Sequence, residues 1–512
     1  MRFTATLCAA AASLALLASA APASARGITV AVGSSFTTLD PYQATDLLSR
    51  SVSKSFYEGL YGFDKDLKPV PQLAESHEVS ADGLTWTFRL REGVKFHDST
   101  LFDAEAVKLN FERVLNPENH LSRRSLFKFI DKVEVVDPRT VRFRLSSPMP
   151  SFLQRLANGT GQMICPKTLA TMDGRGIAFN PCGTGPYRLE RFKPTEELYV
   201  RKFESYRIAG LPKFDALRWV PVPENSTRAM MLETGEAQFI SPVPSEQMKV
   251  LAGRDKISMI TVPSVVTRYL SMNETKKPFD DIRVRRAVNL AINRKALVKV
   301  AYNGLAVPST GYLPPPLEGA VAFDDFEYNP KKARELLAEA GYPNGFKTNI
   351  WSAYNDGKTL KTLQFLQQQL ATIGVKAETR ALEAGQRTLI YSAKTPEDSQ
   401  HQLYLIGWTN SAAEPDWGLR PLLDSRSMPP VLNNESYYRN PKVDELLDKA
   451  VAETDPVKRV ELYGEIQRIV HADTPWAPLV FETMTAGAAK ELRNFSPRPD
   501  GSFSFYEAEW RE

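Results

Sequence analysis

At 512 residues the chain exceeds the roughly 250 to 300 residues at which a single core stops growing, which excludes one compact domain. Hydrophobic side chains make up 43% and charged ones 24%, close to ordinary globular usage, which excludes disordered and fibrous classes. Sixty-four basic against sixty acidic residues leave a net +4 without long single-sign runs, too little focused charge to grip nucleic acid.

The chain opens with Arg2, an apolar run over residues 7–20, Pro22 and the small triplet Ala23, Ser24, Ala25. That layout predicts a secretory signal peptide over residues 1–25, cleaved before Arg26. The apolar run is too short to anchor in a bilayer. Cys8 precedes most of it, whereas a lipid-modified cysteine would follow it, so the expected product is free in the periplasm and not membrane-inserted. The two remaining cysteines, Cys165 and Cys182, then face an oxidising compartment. An even pair there reads as a disulfide, with two buried free thiols as the alternative that sequence leaves open.

Next come strands. Leu84, Trp86, Phe88 and Leu90 alternate with polar residues, as do Val141, Phe143 and Leu145 after the turn formers Asp137 and Pro138. This early region reads as antiparallel sheet. Farther on the period becomes helical. Ala333, Leu336, Leu337 and Ala340 form one stripe, with Asn329 as N-cap, Pro330 in the first turn and Gly341 past the end. Leu363, Leu366, Leu370 and Ile373 form a second, stopped by Gly374 before the strand-like residues 375–379. Val443, Leu446, Leu447 and Ala450 repeat the pattern after Asn440 and Pro441, and another helix is expected after Asp455 and Pro456. Mixed α/β architecture follows. No repeat or low-complexity linker divides the chain.

The chemistry-bearing motifs are sparse. His77, His97, His120, His401 and His471 show no metal-ligand spacing, so no metal or cofactor is expected and each reads as a surface or loop histidine. No serine sits in a GxSxG or SxxK context, and neither late cysteine has a histidine nearby. No catalytic residue is assigned. Gly183, Thr184 and Gly185 lack the lysine of a phosphate loop and, with Pro186 following, predict a tight turn.

Taken in order, however, several segments carry one resemblance: TTLDP (37–41), FYEGLYGFD (56–64), FRLREGVKFHD (88–98), GTGPY (183–187), MLETGEAQF (231–239), PFDDIRVRRAVNLAINR (278–294) and YNPKKARELLAEAGYPNGF (328–346). Together they resemble the dipeptide, oligopeptide and nickel type of periplasmic solute-binding proteins, across essentially the whole mature chain. VAVGSSFTTLDPY from Val30, RYLSMNETKKPFD from Arg268, EAGQR from Glu383 and GWTNSAAEPDW from Gly407 are similar to the glutathione-binding subgroup. Dipeptide-binding members carry an aspartate shortly after the Gly-Trp pair for the ligand's amino terminus. Here Thr409, Asn410 and Ser411 occupy that stretch.

The resemblance implies a two-lobe α/β protein with a smaller third subdomain, closing on its ligand by hinge motion. It divides the chain into 26–60 (first lobe), 61–183 (added subdomain), 184–268 (first lobe again), 269–486 (second lobe) and 487–512 (return to the first). It implies a monomeric, non-enzymatic component of an ABC importer that hands glutathione to a membrane permease. Another peptide, an opine or a nickel chelate is the alternative ligand, and a periplasmic peptide hydrolase the alternative class. By analogy the ligand lies between Phe36, Thr37 and Thr38 of one lobe and Arg268, Trp408 and Thr409 of the other. Glutathione brings two carboxylates and one ammonium, so Arg268 and Arg387 are the expected carboxylate partners and Glu414 or Asp416 the expected acid.

Overall fold

The computed structural model describes residues 27–511 apart from 325, 384, 385, 387 and 394. The expected leader and Arg387 therefore lie outside the described residues. Among those described, no helix is long and apolar enough to cross a membrane.

An 11-stranded mixed sheet runs through the molecule. One end holds Lys376–Ala381, Lys347–Ser352 and Leu403–Thr409, and the other Phe239–Ser241, Gly27–Val32, Ala216–Pro221, Glu197–Lys202 and Tyr187–Lys193. Between them lie two long antiparallel strands, Ile257–Met272 and Trp476–Ala489. Their pairing runs from Ile257 opposite Ala489 to Pro263 opposite Thr483, then resumes at Thr267 opposite Phe481. Residues 264–266 thus stand against Glu482 alone. Extra residues on one strand bend it and raise its local twist, and Pro263 has no N–H to give the ladder. The sheet divides into two halves at this point, giving the two lobes expected from the sequence. The largest apolar cluster reaches both sides, with Val30 and Trp219 on one and Trp351 and Tyr404 on the other; smaller ones serve each alone, Leu270, Leu337, Leu366 and Leu405 in one and Ala31, Leu232 and Ile240 in the other.

The early strands form a separate four-stranded antiparallel sheet in the order Ala74–Val79, Thr85–Leu90, Thr140–Leu145, Ile130–Asp137. Alternation decides its faces: Trp86, Phe88, Leu90, Val141, Phe143 and Leu145 are buried. Phe88 meets Phe143 edge-on at 5.5 Å, and Phe143 meets Phe152 at 5.4 Å. This is the smaller third subdomain.

The later helices begin where their caps place them. Asn329 Oδ1 accepts from the Lys332 N–H at 3.0 Å to open Pro330–Glu339, and Gly341 takes φ +91° beyond its end. Asp356, Asn440 and Asp455 cap Gly357–Ala371, Pro441–Ala452 and Pro456–Asp473 in the same way. The Gly183 and Gly185 turn lies where two backbones touch. A Cβ on Gly183 would sit 2.3 Å from the Phe56 carbonyl oxygen, and one on Gly185 2.4 Å from the Phe56 carbonyl carbon. Beside it Cys165 and Cys182 form a disulfide with Cα atoms 5.4 Å apart.

Candidate functional site: the cleft at the strand crossing

A cavity of about 740 Å³ opens where the two half-sheets part. Ser34, just past the first strand, and Glu246 line it from one side, Tyr302 and Lys358 from the other, and Ser264 and Glu482 form its floor at the register jump. It therefore draws on both halves of the sheet, and a motion about the crossing would open or close it.

Glu482 is the centre of its charge. Arg268 Nε and Lys358 Nζ each donate to Glu482 Oε1 at 2.7 Å, and the side chain is only 16% exposed. Burial alone would raise this carboxyl's pKa, but Arg268 and Lys358 more than reverse that and hold it well below the usual carboxylate range. Ser264 Oγ donates to the Glu482 backbone carbonyl at 2.7 Å, which ties the floor to the 264–266 excursion. The cations are held in turn by aromatic faces: the Arg268 guanidinium lies 4.6 Å from the Tyr354 ring centroid and Lys358 Nζ 5.4 Å from that of Tyr302.

The other charges on the wall are differently employed. Asp356 accepts from Lys358 N–H, Thr359 N–H and Thr359 Oγ1 as a helix cap. Glu246 is 56% exposed and pairs with Lys361. Arg228 spends its donors on the carbonyls of Pro242 and Val222 and on Asn225 Oδ1, so it braces the wall.

The described residues expected to touch ligand fall into four groups, and none of them lines this cavity. Arg268 reaches the cavity through Glu482, and its guanidinium end, from Cδ to Nη1, lies over Gly407. Phe36 is buried, its ring 6.2 Å from Trp219, while Thr37 N–H and Thr38 N–H donate to Ser49 Oγ at 2.9 and 3.3 Å, tying that loop to the helix Leu47–Phe56. Trp408 donates from Nε1 to the Trp417 carbonyl at 2.7 Å, and half-buried Thr409 pairs with Val266 at the crossing. Glu414 and Asp416 are buried away from this cavity, both against the Arg155 guanidinium. Among the described residues one trio of metal-ligating type, Asp98, Cys165 and Cys182, comes together, and its two sulfurs are consumed by the disulfide.

Sequence reasoning passed over Glu482, Lys358 and Tyr302. A signal for the first existed: residues 476–489 read WAPLVFETMTAGAA, and Glu482 is the one charge in that apolar strand. A lone carboxylate at a buried strand position needs a partner. Lys358 gave none, since a lysine in a helix's first turn is an ordinary exposed residue.

Comparison with known proteins agrees with this architecture. The profile of bacterial extracellular solute-binding proteins, family 5 middle region, matches residues 68–430. The chain is 49% identical over 485 residues to the glutathione-binding protein GsiB of Salmonella typhimurium, covering 95% of this chain and 94% of that one. Among solved structures it is similar to the periplasmic binding protein DppA of Helicobacter pylori in complex with the peptide STSA, with TM-score 0.83 and 28% identity over 95% of this chain and 98% of that one. It is also similar to NikZ of Campylobacter jejuni in complex with Ni(L-His), with TM-score 0.80 and 25% identity over 93% and 97%. A sheet parted at two long crossing strands, a charged cleft at the parting and a family profile covering most of the chain agree: the chain belongs to the bacterial extracellular solute-binding proteins of family 5.

Proposed function

We propose that this protein is the periplasmic substrate-binding component of an ABC importer, that it binds glutathione in the cleft at the strand crossing, and that it delivers it to the membrane permease without chemical change. The observation that carries the reading is near-half identity, over almost the full length of both chains, to a protein named for glutathione binding. The cleft supports it physically. Its volume of about 740 Å³ lies in the range of small-ligand sites, and Glu246, Glu482, Lys358 and Lys361 offer both signs of charge to a ligand with two carboxylates and one ammonium.

On this reading the first lobe comprises 26–60, 184–268 and 487–512, with 61–183 as its added subdomain and 269–486 as the second lobe. Residues 1–25 direct export. The protein acts as a monomer, and Arg268 serves the ligand from behind Glu482. Calorimetry on the mature protein with reduced and oxidised glutathione, an alanyl dipeptide and nickel-histidine tests it. Stoichiometric heat with glutathione and unaltered ligand recovered afterwards is the expected result. Heat with the dipeptide or nickel chelate alone would keep the importer component and remove glutathione. Recovery of cleaved peptide would make the protein a hydrolase.

A further inference from the structure

Among the described residues, the cleft contains one shielded carboxylate oxygen with no assigned task. Both cations that touch Glu482 donate to Oε1, and Oε2 accepts no hydrogen bond among the described residues. Of the three acids on the cavity wall, Asp356 is spent on its helix cap and Glu246 is solvated beside Lys361. Only Glu482 is shielded and has an acceptor to spare. Next to it, Lys358 Nζ has three donors and uses one, on Oε1. A negative edge and a positive head therefore lie side by side, with Lys358 Nζ 2.7 Å from the carboxylate.

We infer that the Glu482 and Lys358 pair is the recognition element for a free α-amino-acid head, Glu482 Oε2 accepting from the ligand ammonium while Lys358 Nζ donates to the carboxylate on the same carbon. The inference rests on the glutathione reading and sharpens it. A zwitterionic head docked against a fixed ion pair places each charge beside its opposite, and the low local polarity of a shielded cleft strengthens every contact. Arg268, fixed over Tyr354, keeps Glu482 ionised and leaves Oε2 unoccupied. The depressed pKa of Glu482 is consistent with a carboxylate that waits charged for its ligand.

This arrangement discriminates by linkage. In a γ-glutamyl peptide the α-ammonium and α-carboxylate stay together on one carbon. In an ordinary α-peptide the N-terminal ammonium has no carboxylate beside it, so Lys358 would face an amide. The site thus selects γ-glutamyl compounds as a class, with the rest of the cavity left to accommodate the remaining residues.

The test compares γ-glutamyl-cysteinyl-glycine with its isomer α-glutamyl-cysteinyl-glycine, identical in composition and charge, by calorimetry on the whole mature protein. The wild type is expected to prefer the γ isomer by at least about 30-fold, the scale set by unpairing a desolvated charge. Glu482→Gln and Lys358→Gln should each erase most of that preference, by weakening the γ isomer more than the α isomer. Melting temperatures without ligand separate this from a merely structural role, which would lower stability and both affinities together. Equal binding of the two isomers by the wild type would overturn the inference and leave glutathione standing as ligand. Binding of neither isomer, or of the α isomer alone, would overturn both. A γ preference that survives in both variants would discard the assigned pair, and if Glu482→Gln fails to fold, Lys358→Gln decides.

Discussion

Arg155 Nη2 lies 3.1 Å from Asp416 Oδ2 across 261 positions of chain, and the same guanidinium pairs with Glu414. All three side chains are about 4% exposed or less. Burial pushes the Glu414 carboxyl's pKa upward against the pull of Arg155. Replacing Arg155 with methionine would leave Glu414 buried without its paired cation, while Asp416 keeps Arg420 Nε at 2.8 Å, so Arg155→Met should lose about 3 to 5 kcal/mol of stability. Urea denaturation checks this. The double change with Glu414→Gln should recover much of the loss.

His401 makes acid lability predictable. It is fully buried, with Nδ1 accepting from Ser399 Oγ at 2.7 Å and Nε2–H donating to the Glu435 carbonyl at 3.0 Å. The bond at Nδ1 requires the neutral ring, because a protonated nitrogen cannot accept, while the one at Nε2 survives protonation. Burial pulls its pKa down to about 4, against about 6.5 unfolded. Because the folded value is the lower one, the stabilisation is fully present above about pH 6.5 and is lost as pH falls through about 4. A loss on the order of 3 kcal/mol follows over that window. Melting curves from pH 7 to 4 should show it, and His401→Asn should flatten the dependence while lowering stability at pH 7.

The bond between Cys165 and Cys182 closes a loop with a sequence separation of 17. Loop-closure arguments give it about 3 kcal/mol. Thiol labelling of the denatured, unreduced mature protein should find no free cysteine, and Cys165→Ala with Cys182→Ala should lower the urea midpoint accordingly.

Gly407 faces Arg268 so closely that an added Cβ would lie 2.6 Å from Nη1 and 2.8 Å from Cδ. Gly407→Ala should therefore displace the guanidinium from Glu482. Ligand affinity should fall by roughly tenfold, the scale of one weakened charge-assisted hydrogen bond. Stability should change by about 1 kcal/mol, the ordinary range for a substitution with room to relax. Calorimetry and thermal melts on the same preparation separate the two effects.

Much of this fold was legible from local chemistry. Asn329, Asn440 and Asp455 mark helix starts because a side-chain oxygen there meets backbone donors two or three residues on. Alternation through Trp86, Phe88 and Leu90 assigns a buried face because side chains alternate along a strand. The site was legible only in part. Arg268 and Gly407 stand in motifs of the resemblance; neither lines the cavity, and Arg268 reaches it only through its bond to Glu482. Glu482, the common partner of Arg268 and Lys358, is 214 residues from the one and 124 from the other, so no window of sequence shows the three together. Phe36 carries the opposite lesson. Its place in a shared motif pointed to ligand, whereas its ring is held in the core by Trp219 and Phe192.

The order of strands in the main sheet has a consequence for how the polypeptide is made. Gly27–Val32, the first strand described, pairs with Ala216–Pro221 and with Phe239–Ser241, and the latter pairs with Trp476–Ala489. Nothing close to it along the chain can hold it in a ladder. Non-local pairings of this kind are slow, because loop closure must precede the contacts that reward it. A nascent chain halted before Trp476 lacks the strand that joins both halves. On the proposed export route, that delay keeps the polymer threadable: the native sheet locks only after its C-terminal stretch has cleared the ribosome, and the emerging N-terminus stays free to be drawn through a narrow channel.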